Sequence, residues 1–312
     1  DKTGTLTAGK PVVKTIRVVE GHEENHVIAC AAAVEAGSEQ PIAKAIVALA
    51  RERALPRRTS QEFLAQPGQG VSARVDGQQV WLGSPRAALA AGLDQETVEA
   101  WTESFAQEGW TPVFLSIDGQ MAGAFGLFDA PRPTAKEAIL RLRQLGVKTR
   151  ILSGDHPGAV ERLAAEIGID QAVGKLMPTE KAAAIQAAED AGERVAMVGD
   201  GINDAPALAA ASVGIAMGGG ADVAIEAADC ALLRDDPRCV ALLLGLGRQT
   251  LSTIRVNLFW AFAYNALGLP LAAGALTHWT SLSVTPAMAA GAMSASSVSV
   301  VLNSLRLRWR KL

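Results

Sequence analysis

The sequence predicts an α/β protein with a doubly wound parallel sheet, an inserted α+β region and a C-terminal pair of apolar helices. Three observations lead to this fold class. Short apolar runs alternate with helical patterns from Asp129 onward. Residues 11–128 are mixed and polar by comparison. Near the carboxyl end, residues 256–276 and 284–305 are each about one bilayer length of mostly apolar residues.

The inserted region contains both helical and β-like patterns. Ala-rich runs at residues 27–36 and 42–53 predict helices, and the runs at 71–75 and 80–82 predict strands. Asp76-Gly77 separates the two β-like runs and is a signal for a hairpin turn. We therefore expect a small α+β unit over residues 11–128.

The region that follows repeats a strand-then-helix pattern. A predicted strand at residues 148–152 ends in Ser153-Gly154-Asp155, and another at 195–198 ends in Gly199-Asp200-Gly201. The remaining elements are a helix around 160–167, a helix at 179–191 and apolar runs at 212–216 and 230–233. Such βα repeats form parallel sheets that bind ligands at the carboxyl ends of their strands. Both polar turns should therefore lie at a ligand site.

The two C-terminal segments are flanked by arginines. Arg248 and Arg255 precede the first segment, and four basic residues follow the second: Arg306, Arg308, Arg310 and Lys311. A transmembrane hairpin with both ends in the cytoplasm satisfies the preference for positive charge on that side. The alternative is a buried helical hairpin in a soluble protein.

The sequence thus predicts three domains. One is formed by residues 1–10 together with 129–245, the second is inserted at residues 11–128, and the third consists of residues 246–312.

Composition excludes some classes of function. The net charge of −3 gives no sign of a nucleic-acid partner. Three scattered cysteines without a Cys-x-x-Cys pair indicate free thiols in a reducing compartment. The chain begins at Asp1 without an initiating Met, so we expect it to be a fragment of a longer protein.

The first seven residues, Asp-Lys-Thr-Gly-Thr-Leu-Thr, are typical of phosphoryl transfer. Asp1 can attack a γ-phosphate and form an acyl phosphate. Gly4 allows the backbone to turn its amides toward phosphate oxygens, and Thr5 supplies a hydroxyl donor. The complete heptamer is far more specific than its first three residues.

Three further motifs fit the same chemistry. Asp200 and Asp204, beside tight glycine turns, suit Mg²⁺, which prefers carboxylates with phosphate oxygens and water. Ser153-Gly154 offers a hydroxyl and backbone N–H groups to a phosphoryl oxygen, and Lys181 can neutralise charge in the transition state. The Ser153-Gly154 turn and Lys181 are weak signals alone, because helical lysines are common at protein surfaces. The run from Gly199 to Asp204 is more specific than a Gly-rich surface turn, because it follows a predicted apolar strand.

Together these motifs occur in the order Asp, Ser, Lys, Asp, which resembles the haloacid-dehalogenase superfamily. The heptamer, the large insert and Gly-Asp-Gly-Ile-Asn-Asp-Ala-Pro narrow the resemblance to P-type ATPases. The resemblance implies phosphorylation of Asp1 by ATP, with Mg²⁺ bound by Asp1, the carbonyl of Thr3, and Asp200. It also implies supporting catalytic roles for a wider set: Lys2, Thr5, Ser153, Gly154, Asp155, Lys181, Asn203 and Asp204.

Two motifs in the insert resemble the nucleotide-binding domain of heavy-metal pumps. They are Ser38-Glu39-Gln40-Pro41, similar to Ser-Glu-His-Pro, and Gly68-Gln69-Gly70, similar to Gly-x-Gly. Glu39, Gln40, Gly68 and Gly70 are therefore the implied ATP-binding residues. Gln40 stands where the family has a His near the adenine, and an amide stacks less well and does not titrate near neutral pH. We expect altered nucleotide binding, which Gln40→His tests.

The C-terminal segments carry polar residues that resemble those of the copper(I) branch of these pumps. A soft thioether ligand favours Cu(I), and polar groups at membrane depth are usually functional. The alternative for any one of these residues is helix packing. The residues that the resemblance implies as ligands of transported Cu⁺ are Tyr264, Asn265, Met293 and Ser297.

The resemblance implies a cation-exporting, integral membrane enzyme of a bacterial plasma membrane, with cytoplasmic catalytic domains. Its partners would be ATP, the transported ion, the lipid bilayer, a copper chaperone, and an upstream part with the actuator domain and other membrane helices. The alternatives are a pump for Zn²⁺ or another metal, a soluble phosphatase of the superfamily and a non-catalytic membrane scaffold. His22-Glu23-Glu24-Asn25-His26 also fits a zinc-protease motif, but it lies at a predicted helix start, where solvated polar residues are the simpler interpretation.

Overall fold

A computed structural model describes residues 1–66, 69–273 and 285–309. The chain divides into two compact units, Asp1–Cys239 and Val240–Leu312. The predicted finer boundaries, at residues 11, 129 and 246, stay predictions.

The inserted region forms a six-stranded antiparallel sheet with four helices. The strand order is β1-β6-β5-β4-β3-β2. The strands are β1 Val12–Val18, β2 Ser60–Gln66, β3 Gly70–Val75, β4 Gln78–Gly83, β5 Thr111–Ile117 and β6 Gln120–Phe128. The helices are α1 Glu24–Glu35, α2 Pro41–Glu52, α3 Pro85–Ala90 and α4 Gln95–Gln107.

Helices cover both faces of this sheet, so its central strands are almost fully buried. On one face α1 and α2 enclose a core that includes Ile28, Ile46 and Leu115. On the other face α3 and α4 pack against the sheet, and Phe105 of α4 and Phe114 of β5 belong to this second core. Because β5 and β6 are buried on both faces, their sequences are apolar without the alternation that marks a half-exposed strand.

The predicted α+β insert is confirmed, including the hairpin between β3 and β4. Its turn residues Asp76 and Gly77 both have positive φ, 50° and 86°, as a tight hairpin turn requires. The strands β1, β2, β5 and β6 were not predicted. For β5 and β6 the reason is burial on both faces, which removes the two-residue period.

The second half of Asp1–Cys239 alternates strands and helices as predicted. Its helices and strands are α5 Ala135–Gln144, β7 Arg150–Leu152, α6 Pro157–Ile167, β8 Gln171–Val173, α7 Pro178–Asp190, β9 Ala196–Gly199, α8 Ala205–Ala210, β10 Val213–Ala216, α9 Asp222–Ala227 and β11 Cys230–Ala231.

All strand pairs in this half are parallel, but they form two sheets where the sequence predicted one. One sheet has the order β11-β10-β9 and the other pairs β7 with β8. No described ladder joins β9 to β7. Instead, the amino group of Asp1 donates to the carbonyl oxygen of Val198 in β9 at 2.7 Å. The amino end of the chain thus lies against β9.

The C-terminal part contains two helices, α10 Arg238–Ala272 and α11 Pro286–Leu305. Asn257 of α10 lies 2.8 Å from Asn303 of α11, with the amide of Asn303 donating. Among the described residues, no helix combines the length and the apolar character needed to cross a bilayer. The predicted transmembrane hairpin is therefore not found in the described part of the chain, and residues 274–284 lie outside that part.

Candidate active site

Asp1 and Lys181 form the centre of the candidate site. Their side chains are only 8% and 7% exposed, and the ammonium of Lys181 contacts Oδ1 of Asp1. The same ammonium lies 2.9 Å from Oδ1 of Asp204, which is also buried. Lys181 is in the first turn of α7, and Asp204 ends the 3₁₀ turn that follows β9. The charged side chains of Asp1, Lys181 and Asp204, which are well separated in sequence, thus lie together beside the end of β9.

Asp200 completes a cluster of three carboxylates. Asp1, Asp200 and Asp204 each offer one oxygen, and these oxygens lie within 4.8 Å of one another. Burial, and then repulsion from the Asp204 carboxylate, raise the pKa of Asp200 to about 6. A compact acidic cluster with one neutralising ammonium fits a divalent cation that prefers oxygen ligands.

Gly4 allows the loop that begins at Asp1 to pass against Asp200. Its φ is +72°, and a Cβ added there would lie 1.7 Å from Oδ2 of Asp200. Only glycine permits both this backbone conformation and this approach. The predicted need for glycine at this position is consistent with the geometry.

The hydroxyl of Thr5 is buried without a hydrogen-bond partner among the described residues. A buried hydroxyl in that condition costs about 1–3 kcal/mol of stability. The neighbouring Thr7 is different, because its hydroxyl donates to the carboxylate of Asp129. Thr5 is therefore a donor available to a bound oxyanion.

The Ser153-Gly154-Asp155 turn adjoins the same loop. Lys2, which is buried, forms an ion pair with Oδ2 of Asp155. Ser153 is buried and its Oγ accepts from the backbone N–H of Asp155 at 3.2 Å. These contacts connect the turn after β7 to the residues next to Asp1.

Two predicted site residues are not placed in this network. Thr3 and Asn203 are exposed, and no described hydrogen bond or ion pair of their side chains reaches the cluster. Their predicted roles stay predictions.

Arg132 is a residue of this site that the sequence did not suggest. Its Nε and Nη2 donate to the carbonyl oxygens of Thr5 and Gly4 at 3.0 and 2.7 Å. It also forms an ion pair with Asp235 at 2.8 Å. Arg132 therefore holds the backbone of the loop that starts at Asp1.

Asp129 was also missed, although it marks the predicted end of the insert. Its carboxylate accepts from the hydroxyl of Thr7 and from the backbone N–H groups of Gly9 and Lys10, the latter two at 3.2 and 3.1 Å. It thus joins the two places where the chain enters and leaves the six-stranded sheet. A usable signal was the charged pair Asp129 and Arg132 enclosing a Pro directly after an apolar strand.

The predicted nucleotide motifs lie on the six-stranded sheet. Glu39 and Gln40 are exposed in the loop between α1 and α2, and Gln40 immediately precedes Pro41 at the start of α2. Gly70 begins β3 with φ of +98°, and a Cβ there would lie 2.1 Å from the carbonyl oxygen of Leu82. Gly68 lies outside the described residues. No described hydrogen bond or ion pair joins these residues to the cluster around Asp1.

Glu35 is a third residue that the sequence did not suggest. It is only 5% exposed, at the end of α1 and three residues before Ser38. Burial raises its pKa to about 7. Burial of an ionised carboxylate destabilises the folded state, and carboxyl groups with a raised pKa are often found near functional sites.

The four predicted Cu⁺ ligands are placed on two helices. Tyr264 and Asn265 are on α10, and Met293 and Ser297 are on α11. The amide of Asn265 donates to the carbonyl oxygen of Ala261, and the hydroxyl of Ser297 to that of Met293. These polar groups are thus satisfied within their own helices, and no described contact assembles them into one ligand set.

The zinc-protease motif does not form a metal site among the described residues. Helix α1 begins at Glu24, so His22 and Glu23 precede it and do not share a helical face with His26. The Nε2 atom of His26 lies 3.6 Å from the Sγ atom of Cys30 instead. The interpretation of residues 22–26 as solvated polar residues is therefore retained.

Three comparisons with known proteins agree with this geometry. The family model of haloacid dehalogenase-like hydrolases matches residues 1–212. The copper-exporting P-type ATPase of Vibrio cholerae is 43% identical over 312 residues, which are the whole of this chain and 34% of that protein. The chain thus spans about a third of the length of this relative.

Solved structures show the same relationship. A zinc-transporting PIB-type ATPase in its E2·Pi state is 36% identical with a TM-score of 0.68, over 98% of this chain and 49% of that one. The catalytic domain of a CPx-ATPase, studied upon nucleotide binding, is 32% identical with a TM-score of 0.62, over 78% of this chain and 86% of that one. The resemblance that the motifs predicted is confirmed: this chain belongs to the haloacid dehalogenase-like hydrolase family, and its relatives within it are heavy-metal P-type ATPases.

Proposed function

We propose that Asp1 accepts the γ-phosphoryl group of ATP, and that the longer protein containing this chain uses the reaction to export Cu⁺ across a membrane. The observation that carries the proposal is the buried Lys181 ammonium between the carboxylates of Asp1 and Asp204. A lysine in this position can stabilise the negative charge of a phosphoryl group as it approaches Asp1.

The chemical step follows from this arrangement. A carboxylate oxygen of Asp1 attacks the γ-phosphorus, the bond from that phosphorus to the bridging oxygen breaks, and ADP leaves. Water later cleaves the acyl phosphate and restores the carboxylate with release of inorganic phosphate. Thr5, Ser153 and Gly154 would donate hydrogen bonds to the phosphoryl oxygens. The buried hydroxyl of Thr5, which has no hydrogen-bond partner among the described residues, supports this role.

Asp1, the carbonyl of Thr3, and Asp200 would hold Mg²⁺, which supplies charge neutralisation when bound. The three clustered carboxylates and the raised pKa of Asp200 support a cation there. Lys2 with Asp155, together with Asn203 and Asp204, would support the positions of these ligands.

ATP would bind to the six-stranded sheet through Glu39, Gln40, Gly68 and Gly70. The division into a phosphorylation part (1–10 and 129–245), a nucleotide part (11–128) and a C-terminal part (246–312) is part of the proposal. It is supported by the antiparallel sheet, which uses only residues 12–128, and by the parallel pairs, which use only residues 150–231.

The choice of ion rests on the relatives and on four side chains. The Vibrio cholerae relative is named copper-exporting, and Met293 offers a soft sulfur ligand alongside Tyr264, Asn265 and Ser297. The longer protein would then act at a membrane, with a lipid bilayer, an upstream actuator part and a copper chaperone as partners. Zinc is the second candidate, because a solved structural neighbour is a zinc-transporting ATPase.

The test is phosphorylation of the complete parent protein in membranes by ATP labelled at the γ-phosphate. We expect acid-stable label that requires Cu⁺ and is lost in Asp1→Asn. Label that requires Zn²⁺ instead of Cu⁺ would support phosphorylation of Asp1 but would identify Zn²⁺ as the transported ion. Label that persists in Asp1→Asn would contradict the assignment of the phosphorylated residue.

A further inference from the structure

Phe63 is an exposed aromatic residue in a strained part of the nucleotide sheet. It lies in β2, an edge strand, and is 38% exposed. The neighbouring Glu62 has a positive φ of 54°, which is uncommon for a residue with a side chain. Such strain persists where the surrounding structure requires it, often at a functional site.

The strain accompanies a β-bulge that redirects Phe63. Gln61 pairs with Arg74 and Leu64 with Ser72, so Glu62 and Phe63 together oppose the single residue Ala73. Bulges of this type change the direction of a side chain relative to a regular strand. The bulge thus sets the direction of the Phe63 ring.

The redirected ring lies against the loop between α1 and α2. A Cβ added to Gly37 would lie 3.2 Å from Cγ of Phe63, so the ring contacts the backbone there. Ser38, Glu39 and Gln40 follow directly in this loop. Phe63 therefore connects the first nucleotide motif to the strand that leads into the second.

The loop between α1 and α2 contains no aromatic residue. Glu39 and Gln40 carry no ring, and their side chains are exposed. A purine bound beside them gains from an apolar face on which to stack. The ring of Phe63 supplies such an apolar face, because it lies against Gly37 at the start of this loop.

We propose that Phe63 is the residue on which the adenine base of ATP stacks, in place of the ring that Gln40 does not provide. This inference rests on the proposed function. Stacking of a base on an aromatic side chain is sequence-tolerant and changes affinity by roughly tenfold when the ring is removed. The bulge at Glu62 and the glycine at position 37 then serve to present the ring.

The test uses the complete 312-residue chain and titration calorimetry with ATP, AMP and tripolyphosphate. We expect Phe63→Leu to weaken binding of ATP and AMP about tenfold and to leave tripolyphosphate binding unchanged. Phe63→Trp should retain the affinity of the parent chain for ATP. The matched control is Leu64→Ala, which alters an adjacent residue that is 51% exposed and should change none of the three affinities.

The unaltered chain supplies an independent measurement in case the variants fold poorly. With phenylalanine ring carbons labelled for nuclear magnetic resonance, the Phe63 signal should shift on addition of AMP and not on addition of tripolyphosphate. If Phe63→Leu lowered the affinities for ATP and tripolyphosphate equally, the inference would be overturned, because Phe63 would then only support the structure of the loop. Unchanged ATP binding would also overturn it but leave the proposed function intact, whereas a parent chain that binds no ATP would overturn the nucleotide function itself.

Discussion

Gly4 lies so close to Asp200 that a Cβ added to residue 4 would lie 1.7 Å from Oδ2 of Asp200. The loop that begins at Asp1 can thus reach the carboxylate cluster only with glycine at this position. This relationship links a backbone requirement in the first seven residues to a side chain 196 positions later, and it leads to the first prediction.

Gly4→Ala is expected to lower the free energy of unfolding by about 3 kcal/mol and to abolish phosphorylation of Asp1. About 1 kcal/mol comes from the positive φ, and the remainder from displacing Asp200. Urea unfolding and γ-labelled ATP measure the two effects. The matched control is Gly77→Ala, which has a similar φ of +86° but no described atom within 4 Å. Equal effects of the two substitutions would contradict the close contact.

Thr5→Val should separate stability from activity. The hydroxyl of Thr5 is buried without a described partner, so its removal should leave stability unchanged or raise it by about 1 kcal/mol. Phosphorylation should fall by about a hundredfold if the hydroxyl binds the phosphoryl group. Thr7→Val is the control, since its hydroxyl is bonded to Asp129 and its loss should lower stability by about 1 kcal/mol. Full phosphorylation of Thr5→Val would argue against the oxyanion role.

Lys181→Met should leave the Asp1 and Asp204 carboxylates facing each other without a cation. Breaking a buried ion pair from one side costs about 3 kcal/mol, and the label on Asp1 should disappear. Denaturant unfolding measures the loss, and added Mg²⁺ should restore part of it. Lys136→Met, at an exposed position of α5, is the control. If both variants unfold at the same denaturant concentration, Lys181 does not hold the cluster together.

Arg132→Lys tests the residue that the sequence did not suggest. A lysine keeps the charge but cannot reproduce donation from separate nitrogens to Gly4 and Thr5. We expect phosphorylation to fall by about tenfold, because the loop that carries Asp1 is less well positioned. Arg141→Lys, which alters a half-exposed helical ion pair with Glu137, should leave phosphorylation unchanged. A comparable loss in both would show that Arg132 has no special role.

Glu35→Gln should change the pH dependence of stability. The folded pKa of Glu35 is about 7, above the value near 4.5 of a free glutamate, so the folded state binds this proton more tightly than the unfolded state. The stability that Glu35 contributes is therefore complete below about pH 4.5 and is lost as the pH rises through 7. The glutamine variant should be more stable than the parent by about 2 kcal/mol at pH 8, with the gain disappearing at pH 4.

Chemical unfolding at several pH values measures this difference in the ATP-free chain. Glu52→Gln, an exposed residue at the end of α2, is the control and should follow the parent at each pH. A constant difference between Glu35→Gln and the parent across this range would show that burial of the charge is not the cause.

The sequence alone determined the family and the chemical core of this protein. Asp1 could be recognised from the heptamer that it begins. Ser153 and Asp200 follow strands and Lys181 lies in the first turn of a helix, and local patterns predict such positions well. The α+β insert, its hairpin at Asp76 and the paired strand–helix repeats were predicted for the same reason. Apolar periodicity is a local property, so it survives without knowledge of the tertiary structure.

Only the tertiary structure decided which distant residues complete the site. Arg132 and Asp129 act through backbone groups of residues more than a hundred positions away, and no short-range pattern encodes such contacts. The split of the parallel strands into two sheets, the burial of Glu35 and the contact of Phe63 with Gly37 have the same origin. Each depends on how separate elements pack, which composition and spacing along the chain do not specify.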